Sequence, residues 1–517
     1  MNFLITNSVP LNGGDEALLR ATVEGLKRRF PGCSITTLCQ DVETARKYLP
    51  DLELDSDLEF VTLDSLERVG GFYRDADIVL SAPGCFLHDF YSIEERLRGY
   101  EAALALNKPV VLLAQSIGPF WKPESLRRIP EVLNRLTRIC VSDTLSKQRL
   151  LELGVHGEKI RETGEMAFLW RTLAPECFQE KTGPIRTIGL NFRVWPPRDL
   201  KAEKEILAKA DRLCRFLLEE NPDHRLLFLS TCQGISNYVD DSDLAAQIVK
   251  ELPENFQARC EINRGHLEPK LLIQALSECD AFIGMRVHAC VLAMLGGTPA
   301  MGVGYESRTK ETFEQLGLDS FQVPFESGSL KWVACARAFL GEAESVRSQL
   351  PALLGKACGR AELNLAVVKE EIRKWQHKKS DADTPEDAAR LLETVFLPSH
   401  ESGVSALAAL RAIQRTIPRG SPFILVDDTQ WAGRFTERKP IPFLEKDGEY
   451  WGPPADDAKA ISELERLRDG GAEFIVFASP CFWWLNYYNE FHSYLQRQYQ
   501  HAFADEELII FDLRTVF

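Results

Sequence analysis

The chain has 517 residues, 45% of them hydrophobic and 26% charged, with a formal net charge of −15. That length exceeds one ordinary core, so two or three domains are expected, and the acidic balance excludes a nucleic-acid binder, which needs a basic face for phosphates. No run of roughly 18 apolar residues is there to span a bilayer, Met1-Asn2-Phe3-Leu4-Ile5 lacks the marks of an export signal, and 13 cysteines without a C-x-x-C spacing suit a reducing, cytoplasmic setting with neither disulfides nor a metal.

From the amino terminus, strand-like runs alternate with helical ones. Phe3 to Asn7 reads as a strand, Asp15 to Phe30 as a helix, Ser34 to Cys39 and Ile78 to Ser81 as strands, Glu94 to Leu106 as a helix and Pro109 to Gln115 as a strand. This is the pattern of a parallel α/β sheet. Arg138-Ile139-Cys140-Val141 continues it, with Ser142 or Asp143 capping a helix from Thr144 that stops at Gly154. The pattern breaks at Leu173-Ala174-Pro175 and restarts with a strand from Thr187 to Phe192. Helix Glu203 to Glu219, strand Leu226 to Leu229, helices Leu244 to Glu251 and Pro269 to Cys279, strand Ala281-Phe282-Ile283 and helix Cys290 to Leu295 follow.

The second series repeats the architecture of the first. We therefore expect two doubly wound Rossmann-type domains, 1–178 and 179–378, facing a cleft in a GT-B-like α/β arrangement, the first on the acceptor side and the second on the donor side. A helix around Glu362 to Gln376 leads into a charged stretch, 379–402, read as a linker. Residues 403–517 read as a third, smaller α/β domain. From Glu401 onward there are 19 aromatics in 117 residues, against 9% for the whole chain, enough for a core of its own. Its aromatics read as core or as sugar-stacking rings, and the paired Asp427-Asp428 as solvated or capping acids or as a metal holder.

Two segments look able to carry chemistry. Asn12-Gly13-Gly14-Asp15 follows the first strand, where its glycines let backbone approach a ligand and Asp15 starts a helix. Gly284-Met285-Arg286-Val287-His288-Ala289 sets a cation and an imidazole two residues apart where a buried strand turns into a helix. That is the edge at which open α/β sheets bind ligands and helix amides favour anions. Structural capping by the same Arg and His is the competing reading.

These segments do not stand alone. Pro109 to Pro119 with Ser116, Ser142-Asp143-x-x-Ser146, Gly189-Leu190-Asn191-Phe192-Arg193-x-Trp195, and Arg286-x-His288 with Gly297-x-Pro299 and Tyr305 occur in the order found in polysaccharide pyruvyl transferases. Over about residues 1–330 the chain resembles that family, whose members have a GT-B-like fold and transfer pyruvate from phosphoenolpyruvate to a glycan sugar as a ketal. The resemblance implies that Arg193 and Arg286-Val287-His288 bind phosphoenolpyruvate, with Asn12, Gly14, Ser116, Tyr305 and Arg308 completing the substrate-binding set. It implies no resident cofactor, since phosphoenolpyruvate is the donor substrate, and a sugar or lipid-linked glycan acceptor, with peripheral contact to membrane-bound biosynthetic machinery. The chain departs from the family in Ser81-Ala82-Pro83-Gly84-Cys85-Phe86-Leu87-His88-Asp89, where a glycine triplet is usual, and at Arg308, where Lys is usual.

The residue types suit that chemistry. Phosphoenolpyruvate carries a carboxylate and a phosphate, which two guanidiniums can fix by charge-assisted hydrogen bonds. An imidazole gains and loses its proton nearest neutrality, so His288 is the expected donor to the enol methylene. Asp15 and Asp89 are the carboxylates expected to assist an acceptor hydroxyl, and Asp15 reads equally well as a helix cap. The runner-up readings are a nucleotide-sugar glycosyltransferase using Glu306 for a ribose, and a non-catalytic glycan-binding protein.

Overall fold

The computed structural model describes residues 1–8, 12–39, 42–56, 63–90, 93–195, 200–232, 240–378, 412–427, 440–446, 449–450, 452–478, 481–505 and 508–516. Strand β1 (Asn2–Ser8) buries six of its seven residues, as expected of a parallel strand covered on both faces. It joins β2 (Ser34–Cys39), β3 (Glu53–Ser56), β4 (Ile78–Ser81), β5 (Gly84–Leu87), β6 (Val110–Ile117), β7 (Arg138–Val141) and β8 (Ile160–Glu162) in one sheet of order β3-β2-β1-β4-β6-β7-β8, with β5 beside β6. A second sheet holds β9 (Thr187–Asn191), β10 (Arg225–Leu229), β11 (Cys260–Asn263), β12 (Ala281–Gly284), β13 (Ala300–Gly304) and β14 (Gln322–Pro324) in the order β11-β10-β9-β12-β13-β14. Every pairing in both is parallel.

In both sheets the order runs outward one way from the first strand and then the other. The crevices at the carboxyl ends of β1/β4 and of β9/β12 are therefore topological switch points, where such sheets take ligands. This is the GT-B-like pair of doubly wound domains that the alternation predicts.

The helix expected near Glu362 is the end of a far longer one, Ser329–Lys378. At 1.5 Å per residue its 50 residues span about 75 Å, more than one domain can cover. Its first part packs Trp332, Ala336 and Phe339 into the core of the second sheet. Its later part packs Leu354, Ala361, Leu365, Val368 and Ile372 into a core with strands of the first. The stretch up to 378 is thus shared between the two sheets, a crossing that the hydrophobic pattern alone does not disclose. Asn364, buried in this helix, accepts from the Ala114 N–H at 3.0 Å and the Thr163 hydroxyl at 2.9 Å, and donates to Gly164 O at 2.9 Å.

The chain divides into two units, one of Met1–Asp57 with Phe72–Pro385 and one of Leu58–Gly71 with Glu386–Phe517. The second contains a five-stranded sheet of β15 (Phe423–Val426), β16 (Ile441–Pro442), β19 (Phe474–Ala478), β20 (Tyr499–Ala504) and β21 (Leu508–Val516), in the order β16-β15-β19-β21-β20. A hairpin of β17 (Glu445–Lys446) and β18 (Glu449–Tyr450) stands apart from it. Two short helices, Trp483–Tyr487 and Asn489–Gln498, lead into the edge strand that Tyr499 opens. Phe443, Phe477, Trp484, Phe491 and Phe511 form the core, while Trp483 and Tyr487 are exposed. The expected linker 379–402 and Asp428 lie outside the described residues.

Candidate functional site

The segments beginning at Asn12, Arg193 and Arg286 follow β1, β9 and β12, the strands of the two switch points, whereas Ser116, Ser142-Asp143 and Tyr305 lie at the ends of β6, β7 and β13. After β1, Asn12 caps the helix Gly13–Arg29, its Oδ1 accepting from Gly14 N at 3.1 Å and Asp15 N at 3.0 Å. Its Nδ2 donates to Asp15 Oδ2 at 2.6 Å, so Asn12 is the cap and Asp15 is held by it. Gly13 N reaches across to Thr231 O at 2.8 Å, bringing the start of this helix to the edge of the second sheet. A Cβ on Gly14 would lie 2.5 Å from His288 Nδ1 and 2.8 Å from His288 Cβ. Only glycine lets the helix start lie against that imidazole.

His288 sits in the first turn of the helix Val287–Leu295, capped by Arg286 in extended conformation. Arg286 is locked: its Nε and Nη2 donate to Asp241 Oδ2 and Oδ1 at 2.6 and 2.8 Å. Asn191, at the end of β9, binds the same carboxylate at 3.3 Å and accepts from Arg286 N at 3.4 Å. This bidentate pair leaves Nη1 as the end of Arg286 open to another partner.

Among the described residues, the Nε2 of His288 is buried with no hydrogen-bond partner. It faces Glu165, whose Oε2 lies 3.9 Å away and also accepts from Arg308 Nη2. Burial works against the charge on Glu165, but Arg308 and then His288 outweigh it and hold the carboxyl down to about 2. Arg308 stays charged because Glu165, and to a smaller extent Asp15, offset the cost of burying it. The backbone before Glu165 is clamped by the long helix: Arg360 donates to Thr163 O at 3.1 and 2.9 Å. A Cβ on Gly164 would meet Arg360 Cβ at 2.7 Å and Ala361 N at 2.9 Å.

Arg193 is arranged differently from the other cations. After β9 its guanidinium lies over the rings of Trp195 and Tyr305, 4.9 and 5.0 Å from their centres, and donates to the Tyr305 hydroxyl at 3.0 Å. No carboxylate pairs with it among the described residues, and its Nε is buried without a partner. Loss of water around its carboxyl pushes Glu306 above the usual carboxylate range, although the charges of Arg193, Arg308, Arg286 and His288 oppose that rise. Arg308 and His288 meet on Glu165, and Arg193 meets Tyr305, which stands three residues before Arg308.

The remaining expected residues divide in two. Asp15 stands at the start of the first helix, next to the Gly14 that lies against His288, and Val287 is half-buried at its helix start. Asp89 and Ser116 are engaged elsewhere. Asp89 Oδ2 accepts from Trp121 N at 2.5 Å and Lys122 N at 2.6 Å, and its Oδ1 accepts from the Ser125 hydroxyl, so it holds the start of the helix Pro123–Leu133. Ser116 donates to Asp143 Oδ2 at 3.1 Å, within the cap of the helix Thr144–Glu152.

Sequence reasoning missed Glu165, Asp241 and Glu311. Glu165 had a signal, a lone acid in the apolar run Gly164-Glu165-Met166-Ala167-Phe168-Leu169-Trp170. Asp241, one of several acids at its helix start, had none. Glu311, in the helix Ser307–Gln315, is buried with both carboxyl oxygens unpartnered, and burial together with the nearby Asp143 pushes it up to about 7.

Comparison with known proteins fits this geometry. The chain is 24% identical over 399 residues to the amylovoran biosynthesis protein AmsJ of Erwinia amylovora, covering 67% of this chain and 94% of that one. Among solved structures, a protein of Listeria monocytogenes described as a UDP-N-acetylglucosamine 2-epimerase superposes with a TM-score of 0.51 at 14% identity, over 75% of this chain and 98% of the other, a likeness of fold alone. The model of the family described as polysaccharide pyruvyl transferase matches residues 12–307, from the Asn12 cap to the first turn after Tyr305. With more than half of its length matched, and both switch-point loops inside the match, the chain belongs to the polysaccharide pyruvyl transferase family and is a transferase.

Proposed function

We propose that this transferase moves the pyruvyl group of phosphoenolpyruvate onto two hydroxyls of a sugar in a polysaccharide or glycan precursor, forming a ketal. The observation that carries the reading is that Arg308 and His288 share the Glu165 carboxylate while Arg193, resting on Tyr305 three residues before Arg308, is paired with no described acid. A small dianionic donor suits such a site, because charge-assisted hydrogen bonds to planar guanidiniums both bind and orient its carboxylate and phosphate. Arg193 and the open Nη1 of Arg286 take the two anionic groups.

Ketal formation needs a proton on the enol methylene, then attack of one hydroxyl on C2, loss of phosphate and attack of a second hydroxyl. His288 supplies that proton, and the cationic wall steadies the negative charge of the departing phosphate. Asp15, at the mouth of the first domain, is placed to receive an acceptor hydroxyl. Asp89 serves the site by fixing the loop in which it stands, since its oxygens are already occupied. Ser116 supports the same wall through Asp143, and Tyr305, Asn12 and Gly14 hold Arg193, Asp15 and His288 in place. AmsJ takes part, by its name, in amylovoran biosynthesis, and a comparable role in exopolysaccharide assembly, in the cytoplasm where phosphoenolpyruvate is made, fits this chain. None of the described helices is long and apolar enough to cross a membrane.

The test is release of phosphate from phosphoenolpyruvate by the purified chain across a panel of sugar acceptors, beside Arg193→Ala and His288→Asn. Acceptor-dependent release that falls at least about 100-fold in both variants supports the reading. Absence of release together with tight binding of a nucleoside diphosphate would move the assignment to a nucleotide-sugar transferase.

A further inference from the structure

Among the described residues, Glu165 is the acid within 4 Å of the proposed proton donor, and it comes from the opposite domain. It is buried, it is shared between His288 and Arg308, and its Oε1 is left without a hydrogen bond. Its backbone has little freedom, being held by Arg360 and Asn364 of the long helix and by the close packing of Gly164. The two nitrogens of His288 face different surroundings: Nε2 looks toward this carboxylate, and Nδ1 lies on the side of Gly14 at the start of the first helix.

From this arrangement we propose that Glu165 is a positioning residue for His288, holding an Nε2–H turned into the protein so that Nδ1 is the atom that transfers the proton. The inference rests on the reading of His288 as the proton donor and adds to it which nitrogen acts and what orients it. In the step, the Nδ1 proton passes to the methylene carbon of phosphoenolpyruvate, and the C=C electron pair becomes the new C–H bond. The electron-poor C2 then takes a lone pair from the acceptor oxygen, and the proton of that hydroxyl returns to Nδ1. The Nε2–H stays in place throughout, facing a fixed negative charge that orients the ring and selects the Nε2–H tautomer after transfer. The carboxylate also pairs Arg308, so one buried acid ties two second-domain cations to the first domain.

The test uses the full chain labelled with 15N-histidine, its His288 signals assigned by their loss in His288→Asn. The expected result is a ring Nε2–H proton of His288 that is slow to exchange with water and shifted downfield, and that moves upfield and exchanges faster in Glu165→Gln. In the same variant, kcat for phosphate release should fall about 100-fold while KM for phosphoenolpyruvate changes less than about threefold, and Glu165→Asp should recover part of kcat. Should Glu165→Gln fail to fold because Arg308 is left unpaired, Glu165→Met with Arg308→Met removes both charges together, and the protected proton and kcat should again fall. A His288 proton unchanged in these variants, or kcat per folded molecule retained, overturns the proposal. The resonance is read without substrate, so a wild-type chain that shows it yet releases no phosphate refutes pyruvyl transfer and leaves the Glu165 pairing standing.

Discussion

Arg193 and Arg286 leave the ends of adjacent strands, β9 and β12, and by residue type and position they are equivalent. Their surroundings make them different. Arg286 is bound through two nitrogens to Asp241, which is itself tied to Asn191, all in a buried patch. Arg193 lies between two aromatic rings with a hydroxyl as its polar partner and no acid among the described residues. A guanidinium already neutralised by a carboxylate shapes the site, whereas one held by rings keeps its charge for a ligand. The partner, more than the cation, decides the role.

The largest effect should follow from breaking the locked cation. Arg286→Met leaves the Asp241 carboxylate buried and unpaired, and the loss should be about 3–5 kcal/mol of stability, measured by urea unfolding. Arg286→Met with Asp241→Leu should recover most of it, because the second change removes the stranded charge. Arg193→Met should cost about 1 kcal/mol or less in the same experiment, yet weaken phosphoenolpyruvate binding about 100-fold in calorimetry. Equal destabilisation by the two Arg variants would erase the distinction between them.

The difference also explains what the sequence could and could not disclose. The central strands of both sheets were legible, because apolar runs bounded by helical stretches define parallel strands, whereas the short strands β3, β5, β8, β11, β13 and β14 were not read from the sequence. The loops after β1, β9 and β12 were legible too, because Gly14, Arg193 and Arg286-Val287-His288 are unusual residues for a strand end. What escaped was pairing at a distance. Nothing local marks Asp241 as the partner of Arg286, 45 residues away, or Glu165 as the partner of Arg308, 143 residues away. The 50-residue helix escaped for a related reason, since its apolar positions face one core and then another. Asp89 was picked out by its neighbourhood, and only the fold shows the Trp121, Lys122 and Ser125 groups that occupy it.

The same contrast holds between two acids and yields a pH test of middling size. Asp89 has donors on both oxygens and is held below the usual carboxylate range by Ser125 and the Lys122 and Trp121 amides, against the opposing effect of burial. Glu311 has none, and burial and Asp143 push it from 4.5 up to about 7. An acid raised in this way binds its proton more tightly when folded. Its contribution is therefore full below about 4.5 and is lost as pH rises toward about 7. Glu311→Gln should match the wild type in urea at pH near 4 and exceed it by about 1–2 kcal/mol at pH near 8. An unchanged difference across that range would mean that Glu311 meets a counter-charge the Asp143 pairing does not reveal.

The smallest effect sharpens the account of Arg193 itself. If its charge is held for a ligand by ring faces, then Trp195→Leu removes one face, whose attraction for a guanidinium is worth about 0.5–1 kcal/mol at a partly exposed site. Donor affinity should fall about two- to fivefold, with stability nearly unchanged. Tyr305→Phe keeps the second ring, 5.0 Å from the guanidinium, and removes the hydroxyl that accepts from Nη1. Binding in that variant should be lost through orientation: KM rises, and the salt dependence of donor binding, which reports charge, stays as in the wild type. Were Trp195→Leu to lower affinity as far as Arg193→Met does, the ring would be contacting the donor directly, and Arg193 would no longer be the residue that distinguishes this wall of the cleft from the locked Arg286.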